Sequence, residues 1–409
     1  MSAREIDLAI VGGGLAGGLI ALAVHRAQPQ MSLALFEAGE QLGGNHRWSW
    51  FGADLSAAGT ALLDPFAKAQ WSDGNEVRFP AYTRRLSADY RSLDSRDFDA
   101  ALQRLLPAGS IHTATPVATL AADGVTTAAG ETWRARAVID CRNGAPGGHL
   151  RGGWQVFLGQ NLATAAPHGL DRPIIMDATV DQIGGYRFVY VLPLAPSEVF
   201  VEDTYYVDSH AFDAPGRGAT ATGRAPSRGA LRARIAEYAA ARGWEIRVLH
   251  EEHGTLPVIT GGDFAAHRKR HEIQGVALAG ARGGFVHPLT SYTLPIAVDN
   301  ALAIARHCAL PGHRLADFVA DRAHAHWRAT AYYRLLGKML FDAAEPEQRY
   351  RIFQRFYRLP EPLIERFYAA RSTSLDKARI LTGRPPVPVS RAVKALLGNG
   401  APLVQGQQP

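Results

Sequence analysis

The chain has 409 residues, 47% of them hydrophobic, and a formal net charge of +6. That length allows two or three domains with a sizeable core, and the composition excludes a low-complexity or disordered chain. The positive balance favours anionic partners, a lipid surface or nucleic acid. Cys141 and Cys308 stand far apart with no CxxC spacing, so both are expected as packing groups in a reducing, cytoplasmic setting.

Glu5 and Asp7 near the start argue against a secretory leader. The longest uncharged apolar run, Leu8 to Val24, has 17 residues and approaches a membrane span, but it concentrates five glycines near one end. A different pattern accounts for it. Ile6 to Val11 reads as a short buried strand, Leu15 to Arg26 as a helix, and Ser32 to Phe36 as a second strand ending at Glu37. The turn between is Gly12-Gly13-Gly14-Leu15-Ala16-Gly17, a GxGxxG in the strand–turn–helix context it requires. Gly12 permits the tight turn, Gly14 lets backbone approach a pyrophosphate, and Gly17 lets helix and strand pack closely. Free amides at the helix start then face phosphate. Glu37, 20 residues after Gly17, can accept both ribose hydroxyls, a charged hydrogen bond being worth about 1.5–3 kcal/mol. This βαβ unit fits NAD as well as FAD.

Gly43-Gly44-Asn45 follows the second strand, and a glycine pair there resembles the FAD-binding monooxygenase and lycopene cyclase group, in which this loop approaches the flavin. From Ile111 to Asp140 short strands alternate with turns, and the resemblance puts Val117 where backbone groups hold adenine. Trp154 to Thr204 is β-rich, with Tyr186, Phe188 and Tyr190 on one strand face and Arg187, Val189 and Val191 on the other. That aromatic stripe is either a substrate wall or plain core. Arg217 to Arg228 reads as a flexible loop, and Gly275 to Ala279 as one more buried strand. Its exit, Gly280 to Tyr292, keeps the Gly, Pro288 and following helix of the flavin loop in FAD monooxygenases, but has Ala281 where they carry an acid. That departure weakens a hydroxylase assignment.

Leu315 to Gly398 is expected to be helical. Between Asp321 and Lys394 it holds 15 Lys or Arg against seven Asp or Glu, interleaved with aromatic residues. Two readings stand side by side: an anionic membrane surface, each cation contributing about 1 kcal/mol, and a helical cap with a solvated basic face. No nucleic-acid-binding module accompanies the charge, so nucleic acid is not expected as a partner.

The chain resembles bacterial flavin-dependent lycopene β-cyclases along almost its whole length. The blocks that carry this are Val11-Gly-Gly-Gly-Leu-Ala16, Gly43-Gly-Asn-His46, Ile174-Ile-Met-Asp-Ala-Thr-Val-Asp-Gln182, Tyr186-Arg-Phe-Val-Tyr190, Val201-Glu-Asp-Thr204, Phe285-Val-His-Pro288 and Arg384-Pro-Pro-Val-Pro388. The resemblance implies cyclisation of the ψ-ends of lycopene and related acyclic carotenoids to β-ionone rings without net redox change. It also implies reduced FAD, with NADPH or NADH as reductant. Glu202 aligns with the acidic residue of family catalysis. On strand alternation it shares a face with Phe200 and Thr204, with Asp203 pointing away, and it is the expected proton donor or base. His287, Asp177 and Asp181 are weaker candidates.

The expected architecture is α/β and FAD monooxygenase-like. A discontinuous Rossmann-type dinucleotide domain (1–80, 100–150 and 260–310) carries an inserted β-sheet substrate domain (81–99 and 151–259) and a helical, basic C-terminal cap (311–409). The protein is expected to associate peripherally with the membrane. Rival functions are an FAD/NAD(P)H-dependent hydroxylase or epoxidase, a prenyl-chain reductase, and a non-catalytic flavin-dependent membrane-binding protein.

Overall fold

The computed structural model describes residues 4–144, 146–208, 226–383 and 387–404. The N-terminal glycine pattern folds as its spacing requires: strand Arg4–Val11, helix Leu15–Ala27, strand Leu33–Phe36. These strands belong to a seven-stranded sheet in which Ile111–His112, Leu33–Phe36, Arg4–Val11 and Thr132–Asp140 run parallel, continued by an antiparallel pair, Gly124–Thr127 and Val117–Ala121. Ala277–Leu278 joins the C-terminal end of Thr132–Asp140 in parallel. Residues remote in sequence thereby reach the carboxyl edge of the sheet, where open α/β sheets bind ligands. Helix Leu15–Ala27 buries Leu19, Ile20 and Val24 in one core with Val298, Ala301 and Ile304 of helix Leu294–His307.

A second seven-stranded sheet has the order Ile246–Gly262, Leu150–Thr164, Glu198–Val207, Tyr186–Ala195, Ile174–Asp177, Asn75–Phe79, Tyr82–Leu86. Asn75–Phe79 lies within the expected dinucleotide segment 1–80, yet it pairs in parallel with Ile174–Asp177 in this second sheet. A short strand has no local signal for which sheet it completes. A small antiparallel sheet of Arg47–Phe51, Tyr90–Asp94 and Ala69–Trp71 pairs with neither but packs against the second.

The last quarter forms helices from Gly312–Ala329 to Val389–Leu397. Their aromatics do not face outward. Tyr333, Tyr357, Phe367 and Tyr368 are buried in one cluster with Tyr186, Phe188, Phe200 and Tyr206 of the second sheet, and Phe353 stacks on Tyr186 with ring centroids 4.5 Å apart. Several cations are internal too. Arg349 is fully buried, binding the Leu340, Phe341 and Tyr206 carbonyls and Asp208, and Arg334 lies 3.7 Å over the Trp327 ring. The aromatic–basic interleaving is therefore mainly the packing of a cap on the sheet. Apolar side chains do remain exposed on the last two helices, Ser374–Leu381 and Val389–Leu397: Leu375, Leu381, Val393, Leu396 and Leu397. Among the described residues no helix is long and apolar enough to cross a membrane. Arg228 opens a helix, Arg228–Ala240; the rest of the expected loop, 217–225, and 384–386 of the C-terminal motif lie outside the described residues.

Candidate active site

A continuous cavity of about 620 Å³ runs from the N-terminal glycine turn to the inner face of the second sheet. Its first end is built from backbone. Gly12 has φ +102°, and a Cβ there would meet the Cys141 carbonyl carbon at 2.8 Å; a Cβ on Gly17 would meet the Gly12 carbonyl oxygen at 2.0 Å. Both glycines are thus required by close backbone approach. Gly14 differs, because no atom lies within 4 Å of where its Cβ would stand. That space is cavity, in front of the uncapped first turn of helix Leu15–Ala27, and it suits a pyrophosphate.

Glu37 lines this end of the cavity and also holds the turn, its two oxygens accepting from the Gly13 amide at 2.7 Å and the Gly39 amide at 2.8 Å. Leu15, Ala16, Gly43, Gly44, Val117 and Gly280 line the cavity as well, whereas Gly13, Gly17, Asn45 and Pro288 do not. Gly43 and Gly44 adopt φ +81° and +68°, a conformation that favours glycine. Asn45 points to the protein surface and ties its loop to the second sheet, donating to the Glu251 carbonyl and meeting His250 Nε2 at 2.7 Å. Pro288 accepts the Ile259 amide through its carbonyl.

His287 is a structural residue. It is fully buried, its Nδ1 accepts the Leu289 and Thr290 amides, and burial pushes its pKa down to about 3. The loop it organises places Thr290, Ser291, Tyr292 and Thr293 on the cavity wall. Ser291 takes φ +58°, stabilised by its amide to the His287 carbonyl and its hydroxyl to the Pro257 carbonyl. Ala281 lines the cavity but brings no carboxylate. Asp140, which ends a strand on this edge, is engaged by Arg142 at 2.9 Å and Arg282 at 2.5 Å.

The far end is the second sheet. Tyr190, Glu202, Gly159 and Glu252 are register partners on four adjacent strands, so they form one row across it and share a face. Glu202 is partly exposed and lines the cavity. Burial pushes its carboxyl up to about 7, opposed by the Thr204 hydroxyl, which donates to Oε1 at 2.5 Å. Glu252, also on the cavity wall, is 5% exposed; burial and then the Glu202 charge raise it to about 8, with Arg47 opposing. The Tyr190 hydroxyl is hydrogen-bonded to those of Ser49 at 2.7 Å and Tyr90 at 3.0 Å, and Tyr90 meets Tyr292 at 3.1 Å. Burial holds all three phenols protonated.

Asp203 points to the opposite face, where it pairs with Arg187 at 2.8 Å. Asp177 is fully buried away from the cavity, bound by Thr179, Tyr238 and Arg242. The expectations did not include Glu252, Arg47 or the tyrosine network. A faint signal for Glu252 exists in the period-two run Glu252, Gly254, Leu256, Val258.

The Rossmann-type turn opening onto a covered sheet is an architecture shared with FAD-dependent monooxygenases. A probable FAD-dependent monooxygenase from Pseudomonas aeruginosa superposes with a TM-score of 0.55 at 16% identity, covering 85% of this chain and 98% of that one. Sequence similarity is closer to the lycopene beta-cyclases of Pseudescherichia vulneris, 43% identical over 96% of this chain and 97% of that protein, and of Pantoea ananas, 40% identical over 96% and 98%. The profile of the family described as Lycopene cyclase protein matches residues 7–394. The chain belongs to the lycopene cyclase family.

Proposed function

We propose that this protein closes the acyclic ψ-ends of lycopene into β-ionone rings, with FAD in the glycine-turn end of the cavity and the carotenoid end group against the second sheet. The observation that carries the reading is Glu202, a buried carboxyl with its pKa raised to about 7 on the wall of the cavity that begins at Gly14. An alkene is a very weak base, so its protonation needs a desolvated acid, and the removal of a second proton needs a base in the same dry space. Glu202 takes part in that proton exchange. The aromatic wall of Phe188, Tyr190 and Tyr206 excludes water from the tertiary cation and offers it π-faces.

The backbone at Gly12 and Gly14 and the Glu37 carboxylate suit the pyrophosphate and ribose of FAD. When bound and reduced, with NADPH or NADH as the electron source, FAD supplies an electron-rich ring that favours a nearby cation. Glu202, the tyrosines and the apolar sheet face handle the proton and the end group. Lycopene must be drawn from a bilayer. The exposed Leu375, Leu381, Val393, Leu396 and Leu397, interspersed with exposed Arg379, Arg391 and Lys394, suit peripheral attachment to an anionic membrane surface.

The test is anaerobic incubation of the FAD-loaded protein with lycopene and dithionite. Cyclisation leaves product mass unchanged and shortens the absorbing polyene, with many turnovers per flavin reduced. A product heavier by one oxygen under air, or by two hydrogens, would replace this reading with a hydroxylase or a reductase.

A further inference from the structure

The row across the second sheet holds a second acid that the glycine and strand motifs do not account for. Glu202 and Glu252 are both register partners of Gly159, on the strands to either side of it. Their Cα atoms are therefore two strand spacings apart, roughly 10 Å, and their side chains rise from the same face into one cavity. Gly159 leaves room in that row for its neighbours. A Cβ there would meet the Phe200 ring at 2.4 Å and Glu252 Cγ at 3.4 Å, so the Phe200 ring tip and the Glu252 stem already occupy the space a side chain would take.

The two acids are not equivalent. The Thr204 hydroxyl donates to Glu202 at 2.5 Å, a length typical of a bond to a charged carboxylate. Glu252, 5% exposed beside the Phe200 ring, has no side-chain donor among the described residues, and the Arg47 backbone amide donates to its carboxyl. The Arg47 guanidinium pairs with Asp94 at 2.7 Å and favours charge on Glu252 only through space. Burial pushes both carboxyls up, and the Glu202 charge adds to the rise at Glu252, so the two titrate as a pair rather than singly.

The geometry points to Glu252 as a second catalytic carboxyl, the proton donor, with Glu202 as the proton acceptor. This rests on the cyclisation proposed above. The Glu252 carboxylic acid gives its proton to C2 of the terminal alkene, leaving the Glu252 carboxylate and a tertiary cation at C1. The C5–C6 double bond supplies the electron pair for the C1–C6 bond, which moves the cation to C5. The Glu202 carboxylate removes the C6 proton, the C6–H electrons form the ring double bond to C5, and Glu202 becomes neutral. One proton enters and one leaves, as an isomerisation demands. After product departs, Glu202 loses its proton to water and Glu252 regains one.

The experiment uses the full chain, FAD-loaded and reduced with dithionite, turning over lycopene in liposomes in D2O, with mass spectrometry of rings and recovered substrate. Wild type should place one deuterium in each β-ring. Glu252→Gln should lose cyclisation by roughly 10²–10⁴-fold and return unlabelled lycopene, and Glu252→Asp should restore part of that loss. Glu202→Gln, with its donor intact, should return deuterated lycopene or rings whose double bond lies elsewhere. Bound flavin, measured by absorbance, identifies folded variants. The assignment is overturned if Glu252→Gln forms β-rings within tenfold of wild type, or if it releases labelled lycopene. Absence of rings from wild type itself would instead remove the cyclisation reading on which the assignment depends.

Discussion

Glu202→Gln should make the protein more resistant to unfolding at alkaline pH while abolishing β-ring formation. Burial raises the Glu202 carboxyl from 4.5 to about 7 in the folded chain. A carboxyl raised on folding contributes stability that is fully present below its unfolded pKa and is lost as pH rises through the folded value. The window is therefore pH 4.5 to 7. A shift of 2.5 units (7 − 4.5) at about 1.36 kcal/mol per unit gives a loss of roughly 3 kcal/mol by pH 8. Glutamine of similar volume has no charge to desolvate and escapes that loss. Urea unfolding of the FAD-loaded wild type and variant, followed by tryptophan fluorescence between pH 5 and pH 8, measures the difference directly. The variant should gain on wild type progressively as pH rises, with the gap levelling off above pH 7. Parallel stability curves would mean that Glu202 does not ionise from a buried, raised state, and its acid–base role would lose its physical basis.

Gly14→Val should leave the fold intact, because its Cβ would meet nothing within 4 Å, yet abolish FAD binding in a fluorescence titration by filling the space in front of the helix start. Asp203→Asn should destabilise the chain by about 3–5 kcal/mol, since it leaves Arg187 buried without its counter-charge; a urea midpoint lowered accordingly, with turnover per bound flavin retained, is the expected result. Replacing Leu396 and Leu397 together with serine should reduce sedimentation with anionic liposomes while leaving turnover of detergent-dispersed lycopene unchanged. Equal sedimentation would move the membrane contact elsewhere on the surface.

The legible parts of this protein were those coded locally. The glycine turn could be read because Gly12, Gly14 and Gly17 act within six residues of each other, each for a reason that spacing alone expresses. Glu202 could be placed on the inner face because a strand alternates strictly, and Asp203 duly turned outward to Arg187. Glu252 and Arg47 were not legible. Glu252 reaches the cavity because Leu150–Thr164 lies between Glu198–Val207 and Ile246–Gly262 in the second sheet, and Arg47 reaches it from the small sheet it shares with Tyr90–Asp94; which strands pair is a tertiary choice with no local signature. Asn45 and Pro288 sit next in sequence to cavity-lining residues but spend their polar groups on holding loops, a distinction that sequence proximity does not make.

The C-terminal quarter carries the more general lesson. Aromatics at helical spacing among basic residues describe a membrane-binding helix and a core-packing helix equally well, since both bury an apolar stripe and solvate a charged one. What separates them is whether a partner surface of matching shape is already present. Here it is: the second sheet presents Tyr186, Phe188 and Tyr206, and Phe353, Tyr357 and Phe367 pack into the same cluster. Covering that sheet keeps water from the space beside Glu202 and Glu252, and their desolvation keeps both carboxyls raised. On the proposed reading the cap is thus part of the acid–base apparatus, and the apolar side chains it leaves exposed are those on its last two helices.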